Sequence, residues 1–144
     1  MKASMVYLGG PIHGRDDASS WEWRIDARKR LGAKNIMSVN PLDNDYRGRE
    51  MAFMDRLVER DKEWILTCDT MLVNCREPGW GTAMEILFGW EQHKQIIIFG
   101  GVTSPWLHYH SNLVVDDLDA AIDSLETGGC VMKVTEKPTG GEPK

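Results

Sequence analysis

The segment Gly79-Trp80-Gly81-Thr82-Ala83-Met84-Glu85 places an acid directly after a glycine-rich turn. We predict that Thr82 caps a helix there and that Glu85 lies in its first turn. One interpretation is structural, since an acid in that position complements the helix dipole. The other is chemical: the dipole keeps the carboxylate ionised, and glycine lets a substrate approach the backbone closely. Such a carboxylate is a suitable nucleophile for the anomeric carbon of a sugar.

Two other side chains are candidates for the same cleft. Tyr7 lies in an apolar run and is followed by the glycine-rich loop Gly9-Gly10-Pro11-Ile12-His13-Gly14. Its phenol either packs in the core or donates a hydrogen bond that orients Glu85. Asp69 precedes the apolar run at residues 70–73. It is either a turn acid or a group that binds a sugar hydroxyl or passes a proton to a leaving base.

Short apolar runs alternate with longer amphipathic stretches along the chain. We predict strands at residues 4–8, 35–39, 70–73, 95–99 and 113–115, and helices at residues 21–31, 51–66, 82–93 and about 117–125. This alternation predicts an α/β fold of three layers, with a parallel sheet covered by helices on both faces. Ligands in such folds bind beyond the carboxyl ends of the strands, where we expect Tyr7, Asp69 and Glu85 to lie.

The bulk properties fit one domain of ordinary size. We assign residues 1–127 to it and interpret residues 128–144 as a tail rich in Gly, Pro, Lys and Thr that is partly disordered. The net charge of −5 argues against nucleic acid as a partner. Cys68, Cys75 and Cys130 form no C-x-x-C pair, which is typical of reduced thiols in the cytoplasm. We find no signal peptide and no membrane span.

These segments together resemble the nucleoside 2-deoxyribosyltransferase family from about residue 5 to residue 125. The resemblance has five parts: the opening Val6-Tyr7-Leu8-Gly9-Gly10-Pro11-Ile12, the substrate loop Pro41-Leu42-Asp43-Asn44-Asp45-Tyr46-Arg47-Gly48, the segment Cys68-Asp69-Thr70-Met71-Leu72, the turn that leads to Glu85, and Asn112. The last is similar to an asparagine that a neighbouring subunit supplies to hold the sugar 5′-hydroxyl.

The resemblance implies a flavodoxin-like (Rossmann-like) fold with a five-stranded parallel sheet. It implies that Glu85 attacks C1′ of a deoxynucleoside, that Tyr7 positions Glu85, that Asp69 assists, and that the sugar passes to another base. It also implies a homo-oligomer, a dimer or higher, with shared active sites and with no cofactor or metal. The residues implied to bind substrate are Gly9, Gly10, Pro11, Ile12, His13, Asp43, Tyr46, Gly79, Trp80, Gly81 and Asn112.

Gly79 departs from the family pattern and leaves other activities open. Transferases of the family often carry an aspartate at this position, and the related 2′-deoxynucleoside 5′-monophosphate N-hydrolases often carry a phosphate-binding serine. Those hydrolases remain an alternative, with His13 or Arg15 meeting the phosphate. The turn also resembles the P-G-G-x-G-T motif of cytokinin-activating phosphoribohydrolases. All three families break an N-glycosidic bond, whereas a non-catalytic nucleotide-binding module is the remaining alternative.

Overall fold

The computed structural model describes residues 1–128. Its main sheet has five parallel strands in the order β3-β2-β4-β5-β6, and a separate pair of short parallel strands joins β1 to β7. The strands are β1 Lys2–Ala3, β2 Met5–Gly9, β3 Met37–Val39, β4 Thr70–Asn74, β5 Gln95–Phe99, β6 Leu113–Val115 and β7 Glu126–Thr127. The helices are α1 Trp23–Gly32, α2 Met54–Thr67, α3 Trp80–Glu91, α4 Pro105–Tyr109 and α5 Leu118–Asp123.

The central strands are apolar throughout because both of their faces are buried. Side chains alternate between the faces, so Leu8, Leu72 and Ile97 pack in one cluster that includes residues of α1 and α5. Tyr7 and Met71 point the other way, into a cluster that includes residues of α2 and α3. The predicted three-layer fold with a five-stranded parallel sheet is therefore confirmed.

The order of the strands creates a crevice at the carboxyl edge of the sheet. From β2 the chain passes through α1 to β3 on one side, and β4 pairs with β2 on the other side. The loops that follow the adjacent strands β2 and β4 therefore lead in opposite directions and leave a crevice between them. Ligands bind in a crevice of this kind in open α/β sheets. Glu85 is carried by the helix that follows the second of these loops.

Several boundaries differ from the prediction. A π-helical turn, Ala18–Glu22, precedes α1, and α2 begins at Met54, three residues after the predicted start. Gly79 rather than Thr82 is the N-cap of α3, and Thr82 is buried inside the helix. Helix α4 and strands β1 and β7 were not predicted, because five and two residues are too short for a clear apolar period. The predicted bounds of β5 and β6 are confirmed.

Cys68 and Cys75 are free thiols. Burial raises the pKa of each to about 12. Cys130 and nearly all of the predicted tail lie outside the described residues. Within residues 1–128, none of the helices combines the length and the apolar character needed to cross a bilayer.

Candidate active site

Glu85 is the sixth residue of α3, which starts at Trp80. The predicted position in the first turn is therefore wrong, because the helix begins two residues before Thr82. The effect of the helix dipole fades within one turn, and the first turn of α3 contains no acid. Capping and dipole stabilisation thus do not explain why an acid is present here, and the structural interpretation of Glu85 loses its basis. The expectation that the dipole keeps this carboxylate ionised is wrong for the same reason, and the pKa of Glu85 is raised to about 8.

Tyr7 reaches Glu85 from the sheet. Its side chain is fully buried on β2, and its hydroxyl donates a hydrogen bond of 3.0 Å to Glu85 Oε2. Burial, and then the negative charge of Glu85, raise the pKa of the phenol well above its usual value. The hydroxyl therefore remains a neutral donor, and it fixes one oxygen of the half-buried Glu85 carboxyl.

Asp61, on α2, is the second acid of the site, and sequence reasoning missed it. Its carboxyl shares a hydrogen bond with that of Glu85. Arg60 Nη2 forms an ion pair of 2.8 Å with its Oδ1. The sequence does contain a pattern that singles out Asp61. It is four residues after Leu57 and three before Trp64, so it lies on the apolar face of an amphipathic helix. An acid in the middle of an apolar helix face requires a hydrogen-bonding or charged partner.

The Asp61 carboxyl favours the protonated form of its neighbour Glu85. Burial, followed by the charge of Asp61, raises the pKa of Glu85 to about 8. Burial likewise raises the pKa of Asp61, while Arg60 acts in the opposite direction. A hydrogen bond between two carboxyl groups requires one proton, so the pair contains one acid and one carboxylate. General acid and nucleophile are thus available in one place.

Asp69 is not part of this arrangement. It precedes β4, and its Oδ2 accepts hydrogen bonds from Ser4 N at 2.9 Å and Met5 N at 3.2 Å. These atoms lie where β2 begins, so Asp69 occupies the amino edge of the sheet. The expectation that it lies in the catalytic cleft is wrong, because an acid that precedes a parallel strand lies at the edge opposite the ligand crevice.

The loop after β2 packs directly on the turn before α3. Gly10 has a φ of 153°, which favours glycine, and a Cβ at this residue would lie 3.2 Å from Asn74 Cβ. A Cβ at Gly79 would lie 3.0 Å from Pro11 Cγ. A Cβ at Gly81 would meet nothing within 4 Å. The structure therefore brings Gly79 against the first loop, whereas Gly81 leaves open space of the kind predicted for a substrate.

The remaining residues of the two loops differ in exposure. Gly9 is buried at the end of β2, Ile12 is partly buried, and Trp80 is 93% exposed. His13 Nδ1 lies 3.3 Å from Glu50 Oε2. Arg15 pairs with Glu77 and donates to Pro78 O. Arg15 thus ties the first loop to the loop after β4, and both predicted phosphate contacts already have acidic neighbours.

The loop at residues 41–48 follows β3 and also lies at the carboxyl edge. Asp43 forms an ion pair of 2.7 Å with Arg28, which turns its carboxylate toward α1. The Tyr46 ring packs 5.5 Å from that of Phe53 and lies 5.2 Å from the Arg60 guanidinium. Tyr46 is therefore joined to the acid pair through Arg60, whereas Asp43 is engaged elsewhere.

Asn112 lies at the opposite edge of its own protomer. Its Oδ1 accepts a hydrogen bond of 2.7 Å from Ile96 N, just before β6. Together with Trp90 and His110 it lines a concavity of about 720 Å³. The geometry within one protomer does not bring Asn112 to Glu85.

Two concavities on the surface of residues 1–128 are open to solvent, and neither has Glu85 in its wall. The second, of about 300 Å³, lies between the loops after β2 and β4 and is lined in part by Pro11, Arg15 and Asn74.

Within residues 1–128 no group of three or more His, Cys, Asp and Glu side chains is placed to hold a metal. His108 and His110, which are two residues apart, each have a ring nitrogen engaged by a backbone carbonyl oxygen: Nε2 of His108 and Nδ1 of His110.

A sequence model of the family described as nucleoside 2-deoxyribosyltransferase matches residues 6–138. The chain belongs to this family. Known members of this family are glycosyltransferases or N-glycosidases.

One curated relative of this family member is the human 5-hydroxymethyl-dUMP N-hydrolase, which is 27% identical over 86 residues. The match covers 59% of this chain and 49% of the human protein, so the chain spans about half the length of its relative. Similarity in sequence thus extends to a hydrolase as well as to the transferases for which the family is described.

Solved structures show the same fold. A 2-deoxyribosyltransferase from Bacillus psychrosaccharolyticus matches with a TM-score of 0.66 at 15% identity, covering 83% of this chain and 91% of that one. A conserved protein from Enterococcus faecalis matches with a TM-score of 0.64 at 14% identity, covering 83% and 95%. The CMP N-glycosidase of Clostridium botulinum matches with a TM-score of 0.52 at 20% identity, covering 84% and 97%.

Proposed function

We propose that this family member cleaves the N-glycosidic bond of a 2′-deoxyribonucleoside through a covalent deoxyribosyl ester on Glu85 and transfers the sugar to another base. The observation that carries the proposal is the contact of the Glu85 carboxyl with both the Tyr7 hydroxyl and the Asp61 carboxyl at the carboxyl edge of the sheet. A half-buried pair of acids with raised pKa values in such a position is typical of catalytic sites.

The pair supplies both groups that the first step requires. The proton that the pair shares moves from Glu85 to Asp61 across their hydrogen bond, and the Glu85 carboxylate attacks C1′. The C1′–N bond breaks, and its electron pair goes to the base. Asp61 donates its proton to that base, so the departing group leaves neutral. Tyr7 holds the Glu85 oxygen in place. The products are a deoxyribosyl ester on Glu85, a free base and an Asp61 carboxylate.

The second step reverses the roles. A ring nitrogen of an incoming base attacks C1′, the ester bond breaks, and Asp61 takes the proton that the incoming base releases. The two inversions together retain the configuration at C1′. No metal or redox cofactor takes part in these steps. The substrate would lie in the crevice beside Gly9, Pro11, Tyr46 and Gly81.

Trapping the ester tests this proposal. The protein is mixed with deoxynucleosides, quenched in acid and digested, and the peptide that contains Glu85 is examined by mass spectrometry. We expect an added deoxyribosyl group on Glu85. Glu85→Gln should lower turnover by at least about 10⁴-fold. Glu91→Gln, which changes an exposed acid on the same helix, serves as the control. Turnover that survives in Glu85→Gln would overturn the assignment.

Hydrolysis of a deoxynucleoside 5′-monophosphate is the second candidate. It is favoured by the relative named 5-hydroxymethyl-dUMP N-hydrolase and by Arg15, which borders the concavity between the two loops. Incubation with a deoxynucleoside and a different free base distinguishes the two. A new nucleoside indicates transfer, and free deoxyribose alone indicates hydrolysis. A rate that is much higher for the 5′-monophosphate than for the nucleoside would favour the second candidate.

A further inference from the structure

Arg24 is a fully buried cation at the same end of the sheet as the acid pair. It belongs to α1, on the face of the sheet opposite α3. Its Nε donates to Leu8 O at 3.1 Å, its Nη2 donates to Gly10 O at 2.8 Å, and its Nη1 donates to Ser20 O. All three acceptors are neutral carbonyl groups, and no acid among residues 1–128 forms a direct ion pair with this guanidinium.

A buried charge without a direct counter-ion is costly unless the surroundings compensate for it. The acids that act on Arg24 are the Glu85 and Asp61 carboxyls, whereas the nearby Tyr7 phenol is neutral. Burial nevertheless lowers the pKa of Arg24, to about 10, so the guanidinium remains charged at neutral pH. The carboxyl pair, which holds one negative charge, therefore acts as the distant counter-ion of Arg24.

The carbonyl contacts give Arg24 a second effect on the site. Leu8 and Gly10 flank the end of β2, directly after Tyr7. A planar guanidinium that binds both carbonyls fixes the direction in which the chain leaves the strand. The position of the Tyr7 hydroxyl, and with it the Glu85 carboxyl, depends on that strand end.

We propose that Arg24 is a positioning residue of the active site, which acts from behind the sheet by fixing the turn after Tyr7 and by supplying the buried positive charge that keeps one carboxyl of the Glu85–Asp61 pair ionised. The catalytic part of this inference rests on the proposed function, whereas its electrostatic part concerns the site alone. The charged and titratable groups that face the pair among the described residues are Tyr7 from β2, Arg60 from α2 and Arg24 from α1.

Two variants separate the two effects. Arg24→Met removes both the charge and the carbonyl contacts, whereas Arg24→Lys keeps the charge and loses the planar set of donors. Arg30→Met is the matched control, because Arg30 lies on the same helix and pairs with the surface acids Asp26 and Asp119. The Glu85 carboxyl is titrated directly by carbon-13 NMR in each protein, with its signal assigned from the spectrum of Glu85→Gln.

We expect Arg24→Met to move the Glu85 midpoint upward by roughly one pH unit, since an opposite charge favours the ionised carboxyl. Arg24→Lys should leave the midpoint within about 0.3 units of the parent but lower kcat roughly tenfold with little change in KM. Arg30→Met should leave both unchanged. If Arg24→Met does not fold, Arg24→Gln, which removes the charge but keeps polar donors, takes its place in the titration.

A Glu85 midpoint that is unchanged in folded Arg24→Met would overturn the electrostatic role. A kcat that is unchanged in Arg24→Lys would overturn the positioning role. Because the titration needs no substrate, a failure of the proposed function appears separately, as a parent protein without turnover whose Glu85 midpoint still responds to Arg24.

Discussion

At the scale of single residues, Asp61 determines which carboxyl group of the Glu85–Asp61 pair carries the proton and which carries the negative charge. Its carboxyl raises the pKa of Glu85, and Arg60 partly offsets this by its ion pair with Asp61. In the proposed reaction Asp61 has a second task, protonation of the leaving base. These two tasks have opposite consequences for a variant that lacks the acid, so Asp61→Asn separates them.

We expect Asp61→Asn to lower kcat/KM for a natural deoxynucleoside by about 10²- to 10³-fold, because the base then leaves without a proton. The loss should be under about tenfold for an aryl deoxyriboside whose leaving group needs no proton. The acidic limb of the rate profile should move to lower pH, since a repelling charge beside Glu85 is gone. Steady-state rates from pH 4 to pH 9 test both points.

Asp55→Asn is the control for this experiment, because Asp55 is an exposed acid of the same helix. Its rates and its profile should match those of the parent protein. An Asp61→Asn loss that is equal for the natural and the aryl substrate would show that Asp61 is not the proton donor.

The raised pKa of Glu85 also predicts a dependence of stability on pH. The folded protein retains the proton of Glu85 up to a pKa of about 8, above the usual range for this side chain in an unfolded chain. The folded state therefore binds more protons between those limits, and its stability falls as the pH rises through that interval. Glutamine has the shape of the protonated acid and does not titrate.

We expect the Tm of Glu85→Gln to equal that of the parent at pH 4 and to exceed it by roughly 3 °C at pH 9. Differential scanning calorimetry at the two pH values measures this. Glu63→Gln, at an exposed position of α2, should show no such difference. The linkage is disproved by a Tm difference for Glu85→Gln that stays the same from pH 4 to pH 9.

The residues of the site were predictable to different degrees. Glu85 follows a recognisable glycine-rich turn and Tyr7 sits in an apolar run, so local pattern singled out both. Their contact joins residues 78 positions apart and follows only from the three-dimensional fold. Asp69 was misplaced although the sequence already puts it before the strand at residues 70–73, and a residue that precedes a parallel strand lies at the amino edge of the sheet.

At the scale of the elements, the turn before α3 has to fit against the loop after β2. Gly79 and Gly81 are close in sequence, but their surroundings differ. A Cβ at Gly79 meets Pro11 and Thr82, at 3.0 and 3.2 Å, whereas a Cβ at Gly81 meets open space. The prediction from sequence, that both glycines make room for a substrate, treated them alike because contacts between loops are invisible in a single chain.

Alanine at these two positions should therefore have opposite effects. Gly81→Ala should stabilise the fold by about 0.5–1 kcal/mol, since alanine is the better helix former and the side chain points into open space. Gly79→Ala should destabilise it by about 1–3 kcal/mol, because the added methyl forces the two loops apart. Urea unfolding of both variants measures the free energies.

The activities of the two variants add a further comparison. Gly79→Ala should also lower kcat/KM, since the shift of Pro11 moves the wall of the proposed crevice. If Gly81→Ala is the variant that loses kcat/KM while remaining stable, a substrate requires the space at Gly81. Equal stability of Gly79→Ala and the parent protein would show that the contact with Pro11 is not tight in solution.

At the scale of the whole molecule, one layer has an unusually apolar surface. Trp80, Met84 and Leu87 follow one another along α3 and are 93%, 73% and 41% exposed. On the neighbouring α2, Met54 and Val58 are 58% and 46% exposed. Large apolar side chains that cluster on adjacent helices are typical of an interface between proteins. We propose that this layer forms the contact of the homo-oligomer that the family resemblance implies.

Met84→Lys should dissociate that oligomer, because it places a charge in the middle of the apolar surface. Light scattering coupled to size exclusion measures the mass, and we expect the parent to be a dimer or higher and the variant to be a smaller species. Ile25→Lys is the control: Ile25 is 43% exposed on α1, in the opposite layer, and its variant should keep the mass of the parent.

Activity measured on the same samples tests whether the sites are shared. Asn112 is remote from the Glu85 of its own chain, so a role in binding the sugar requires a second subunit. Dissociated Met84→Lys should then lose turnover together with its mass, and raising the protein concentration should restore both. A monomer that turns over substrate at the rate of the parent would show that each chain holds a complete site and that Asn112 serves only to join β5 to β6.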